Sequence, residues 1–60
     1  MKHFVGEFSQ EQLEKGEDKK LISKLKKELN LQFILSKIVK KKGVTYLKVW
    51  LTNDFNLVQL

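Results

Sequence analysis

Cysteine, proline, arginine and alanine are all absent from this chain, and glycine occurs only three times. The lack of cysteine excludes a disulfide framework and any thiolate metal site, so the staples that support many short chains are missing. It also suits a reducing compartment, and a cytoplasmic protein is the expectation. Without arginine there is no planar fork to read guanine bidentately, so any nucleic-acid recognition is expected to tolerate sequence changes. No apolar run approaches the ~18 residues of a membrane span, and no basic segment leading into an apolar stretch marks a secretory signal. Neither a membrane nor a metal is therefore expected among its partners. Phosphate-cradling glycine loops and EF-hand loops are absent too, and no cofactor is expected.

What remains is 60 residues, read as a single domain spanning 1–60. A chain this short buries only about 60% of its surface on folding, which excludes a multidomain enzyme and a deep, enclosed active-site cavity. Apolar residues make up 42%, and since none is alanine each is large enough to build a core, so wholesale disorder is excluded as well. Twelve lysines against seven acids leave a net charge of +5, unevenly spread. Residues 1–18 hold two lysines and five acids, a balance of −3; residues 19–60 hold ten lysines and two acids, a balance of +8. Such asymmetry suits a polyanionic partner or a head-to-tail contact with a second copy.

The local patterns order the chain. Residues 2–8 alternate, with Phe4, Gly6 and Phe8 on one side and His3, Val5 and Glu7 on the other, which predicts a short strand. Ser9 and Gln12 have capping-box spacing, and Phe8 and Leu13 have the spacing of a hydrophobic staple, so a helix is expected from Gln10. On a continuous helical wheel Leu13 lies roughly 135° from the stripe formed by Leu21, Ile22, Leu25 and Leu29. A break near Gly16 resolves that conflict. Glu17 and Asp18 then suit the start of a second helix, expected over about 18 to 30 with Asn30 as its stop.

Two runs rich in β-branched and aromatic residues flank Lys41-Lys42-Gly43 and predict a β-hairpin. A two-residue turn forces Lys42 to positive φ, so a three-residue loop with Gly43 in the left-handed region is favoured, pairing Lys40 with Val44. That register puts Phe33, Leu35, Lys37, Val39, Thr45, Leu47, Val49 and Leu51 on one face, and Ile34, Ser36, Ile38, Tyr46, Lys48 and Trp50 on the other. The two-residue alternative sets Lys37 opposite Lys48, unfavourable unless an anion bridges them. Asn53-Asp54 reads as a turn, and residues 55–60 as a last short strand. The expected fold is α+β, in the order β-α-β-β-β: a mostly antiparallel sheet of three to four strands with helix packed on one face.

One amphipathic helix can cover only one face of such a hairpin. The other, holding Ile34, Ile38, Tyr46, Lys48 and Trp50, is the predicted interaction face, because large exposed apolar patches mark interaction surfaces. Burying even 400 Å² of it contributes about 10 kcal/mol before the costs of association. The leading expectation is a non-enzymatic interaction or regulatory module that forms a homodimer or docks a protein partner through this face. The alternative is sequence-tolerant binding of single-stranded nucleic acid, with Tyr46 and Trp50 stacking on bases and Lys40, Lys41, Lys42 and Lys48 contacting phosphates.

Catalytic candidates are weak. His3 is the only histidine and has no second ligand to complete a metal site. Ser9 is used as a cap, while Ser23 and Ser36 fall within a helix and a strand, so no serine–histidine–acid arrangement emerges. Glu14 and Asp18 share helical spacing, but Gly16 lies between them and both are expected in solvent. The lysine-rich helix is read as core-facing and not as a membrane binder, since the hairpin needs its aliphatic stripe as a cover.

Overall fold

Ser9 organises the first third of the chain. In the computed structural model, which describes residues 2–58, strand β1 (Lys2–Ser9) runs directly into helix α1 (Gln10–Glu14). The Gln12 N–H donates to Ser9 Oγ at 3.3 Å, and the Ser9 N–H donates to Gln12 Oε1 at 2.8 Å. Two orphan donors of the first turn are thus satisfied reciprocally, as the spacing predicts. The helix breaks at Gly16, whose φ of 74° lies in the left-handed region that glycine enters without a Cβ penalty. Helix α2 (Glu17–Leu29) follows, ended by Asn30 at φ 54°. Glu17 and Asp18 in its first turn and Lys26 and Lys27 in its last complement the helix dipole.

Strands β2 (Phe33–Lys41) and β3 (Val44–Thr52) form the predicted hairpin, and β1 pairs with the other side of β3. The result is a three-stranded antiparallel sheet in the order β1-β3-β2. No fourth strand is present among the described residues. Instead of the expected last strand, Phe55–Val58 forms a short helix, α3; Gln59 and Leu60, the rest of that expectation, lie outside the described residues. The Asn56 N–H donates to Asp54 Oδ1 at 3.0 Å, so the Asx chemistry of Asp54 starts a helical turn where a strand was expected. The small α+β class stands, but the order is strand, two helices, two strands, helix.

The hairpin turn also differs from expectation, and the difference decides every side-chain position on β2. Lys41 pairs with Val44, leaving a two-residue loop in which Lys42 has φ 52° and Gly43 φ 80°. This is the type I′ geometry, whose twist matches that of the flanking strands. It holds Lys42 in a region that costs a non-glycine residue about 1–2 kcal/mol. The register it sets puts Phe33 and Leu35 on the face where α3 lies, and the three-residue alternative would have turned Ile34 and Ser36 to that face instead.

A second irregularity lies in β1. Phe4 pairs with Trp50 and Gly6 with Val49, so Val5 is an extra residue in a bulge. Phe4 therefore falls on the face opposite Gly6 and Phe8, not beside them as simple alternation predicts. The buried core is small: Phe8, Val49, Leu51 and Thr52 among the described residues. Helices α1 and α2 pack on the face that carries Phe8, Leu47, Val49 and Leu51, lying chiefly over β1. Helix α3 sits on the opposite face at one end, with the Phe55 ring 5.6 Å from that of Phe33. Asn53 ties the ends together: its Oδ1 accepts from the Gln32 N–H and its Nδ2 donates to the Asn30 carbonyl, both at 2.9 Å.

Candidate functional site

The two-residue turn divides the predicted interaction face between the two sides of the sheet. Tyr46, Lys48 and Trp50 lie on the side away from α1 and α2, as expected. Ile34 and Ile38 do not join them: they pair with Leu51 and Leu47, and so belong to the helix side. They extend beyond the helices' cover, with exposures of 46% and 70%. A slip of one residue in pairing moves a whole strand's side chains to the other face, and this slip exchanges Ile34, Ser36 and Ile38 for Phe33, Leu35, Lys37 and Val39.

The face around Trp50 is accordingly richer in charge than expected. Lys37 is directly opposite Lys48 in the β2–β3 ladder. On the other flank Lys2, Phe4 and Glu7 come from β1, opposite Thr52, Trp50 and Lys48. Phe4 meets Trp50 edge-on, with centroids 6.1 Å apart and planes at 62°, and remains 49% exposed. The Lys2 ammonium sits 4.5 Å from the Trp50 ring centroid; the Lys48 ammonium lies 5.7 Å from Trp50 and 5.8 Å from Phe4. The two aromatic rings thus hold two cations by their π-faces, which eases the repulsion between Lys48 and Lys37.

The hairpin-tip lysines do not act as one cluster. Lys41 reaches over β3 to the carboxylate of Glu7, 3.0 Å from each oxygen. Lys40 pairs with Thr45 and faces the helix side, and Lys42 occupies the turn. The far face therefore presents Lys2, Lys37, Lys41 and Lys48 against the single carboxylate Glu7, interleaved with Phe4, Tyr46 and Trp50. Tyr46 and Trp50 are four residues apart on β3, about 13 Å along the strand, which separates them enough for different ligand groups.

Lys2 and Phe4 are the members that sequence reasoning missed, and Lys37 came to this face only in the two-residue alternative that was not preferred. Gly6 inside a strand pattern was the available sign of a bulge, and a bulge moves Phe4 to this face. The Lys42-Gly43 pair was the sign of the two-residue turn. His3 pairs with Leu51 on the opposite face. Among the described residues no group of three or more histidine or acidic side chains is placed to hold a metal ion, and no helix is long and apolar enough to cross a membrane. Comparison with protein families, curated proteins and solved structures finds no match to this chain.

Proposed function

We propose that this protein is a non-enzymatic binding module whose far sheet face takes single-stranded nucleic acid with little sequence preference. The observation that carries the reading is the Lys37–Lys48 pair beside the Phe4–Trp50 rings. Two lysines set directly opposite each other across a ladder are stabilised by an anion between them, and the half-exposed Phe4 ring and part-buried Trp50 ring on the same surface suit unstacked bases. A base stacking on Trp50 displaces the Lys2 ammonium from that ring and leaves it available to the adjoining phosphate. The same lysines disfavour the sequence-based expectation of a homodimer formed by stacking this face on itself, because four cations and one carboxylate would meet their own copies. Self-association is instead favoured by Ile34 and Ile38, on the other side of β2.

Trp50 is the only tryptophan and reports directly on this site. Titration with a mixed-sequence single-stranded oligonucleotide should quench its fluorescence at low salt. Contacts from Lys2, Lys37, Lys41 and Lys48 imply a slope of log affinity against log salt of about −3. Lys37→Glu should weaken binding and flatten that slope to about −2, while the new Glu–Lys cross-strand pair stabilises the fold by about 0.2–1 kcal/mol. Absence of both quenching and labelled-oligonucleotide binding at low salt would remove the proposal.

A further inference from the structure

β2 is an edge strand whose nine residues pair with β3 without a bulge. Because Lys41 and Val44 close a two-residue hairpin, they form a hydrogen-bonded pair, and pairs alternate along the ladder from there. Lys37, Leu35 and Phe33 therefore direct their backbone groups toward β3. Ile34, Ser36, Ile38 and Lys40 direct theirs outward, and all four residues are exposed. Such a row is a template for another strand.

We propose that β2 pairs antiparallel with β2 of a second copy, in a register centred on Ser36, to give a continuous six-stranded sheet. This rests on the self-association reading and not on nucleic-acid binding. The outward-facing set restricts two-fold registers to those centred on a residue. Centring on Lys37 places Lys37 against its own copy and Ile34 against Lys40. Centring on Leu35 places Ile34 against Ser36 and shortens the ladder, and centring on Ile38 sets Ile34 against the turn residue Lys42, outside the ladder. Centring on Ser36 places Ile34 opposite Ile38 twice, Leu35 opposite Lys37 and Phe33 opposite Val39, with no lysine facing a lysine. About six interchain hydrogen bonds then form through Ile34, Ser36 and Ile38. The ladder ends at Gln32, whose N–H is already donated to Asn53.

This pairing uses the two isoleucines that α2 leaves uncovered, bringing four together between the helical layers of the two copies. The area agrees. The chain exposes 4763 Å², whereas a folded monomer of 7.1 kDa exposes about 4,100 Å². The excess belongs to a flat molecule, 32 × 24 × 13 Å, with surface to spare for a partner. Lys37 of each copy also becomes a diagonal neighbour of the other's Lys37 on the far face, about 7–8 Å away, so screening should tighten the dimer while it weakens nucleic-acid binding. Opposite responses to salt separate the two proposals.

The register can be tested because the chain has no native cysteine. Ser36 residues paired on the two-fold axis lie about 5.5 Å apart at Cα, within disulfide range. Mild oxidation of Ser36→Cys should give a covalent dimer, whereas Lys40→Cys, far from its own copy in this register, should stay monomeric. Light scattering of the wild type should report twice 7.1 kDa. Ile38→Lys, at a site 70% exposed in the monomer, should keep the circular-dichroism spectrum and raise the dimer dissociation constant about tenfold or more. A wild type that is monomeric at its highest soluble concentration overturns the inference. So does equal cross-linking of the two cysteine variants, or a wild-type dimer in which Ser36→Cys does not cross-link.

Discussion

The two strands that flank β3 share a neighbour but not an environment. β1 is bulged at Val5, has Gly6 in its middle and lies under α1 and α2. β2 is regular along its length, and leaves Ile34 and Ile38 exposed on the very face where Val49 and Leu51 of β3 are sealed. Bulges and cover blunt an edge, whereas a long regular edge with apolar side chains invites a partner. Lys37 and Lys40 restrain that tendency without abolishing it, since they exclude only the registers in which they meet another lysine or an isoleucine. The comparison teaches that exposure on this sheet follows helix coverage and not hydrophobicity: isoleucine and leucine one strand apart have opposite fates.

Substitutions at matched positions put this contrast at risk. The largest effect is expected at the shared core. Leu51→Ala should lower the unfolding free energy by about 2–5 kcal/mol, whereas Ile38→Ala, on the same face, should lower it by less than about 0.5 kcal/mol in dilute, monomeric samples. Equal losses in urea unfolding would erase the distinction between the strands. Next is Asn53→Ala, which frees the Gln32 N–H and the Asn30 carbonyl where β2 begins and should destabilise by about 1–2 kcal/mol. Hydrogen exchange should locate that loss at the start of β2 and leave β1 protected. The smallest effect sharpens the account of β2's register. Asparagine tolerates left-handed backbone better than lysine, so Lys42→Asn should stabilise the two-residue turn by about 0.5–1 kcal/mol. If the turn were a three-residue loop, thermal unfolding would show no gain.

Much of the fold was legible because its signals are local. The capping box at Ser9, the break at Gly16, the stop at Asn30 and the hairpin each depend on residues within a few positions of one another. Two features were misread because local preference pointed the wrong way. A lysine in left-handed backbone is unfavourable, so the two-residue turn looked the poorer choice until the packing of Phe33 against Phe55 of α3 was weighed. Residues 55–58 have the composition of a strand, but Asp54 Oδ1 caps the Asn56 N–H and a helical turn forms. The candidate site was half legible for the same reason. Tyr46, Lys48 and Trp50 depend only on alternation within β3, but Lys2, Phe4 and Lys37 reach them through the bulge and the turn.

From its sequence alone, this chain was bound to form short amphipathic helices and a hairpin with more apolar side chains than one helical layer can shelter. Periodicity and capping chemistry act between near neighbours, and those are written in order along the chain. Which surplus side chains stand together was decided only by the tertiary structure. Parity across a ladder hangs on the turn and the bulge, and each is settled by the energy of the whole sheet. That parity joined Lys37 to Trp50 on one surface and left Ile34 and Ile38 at the edge of the other.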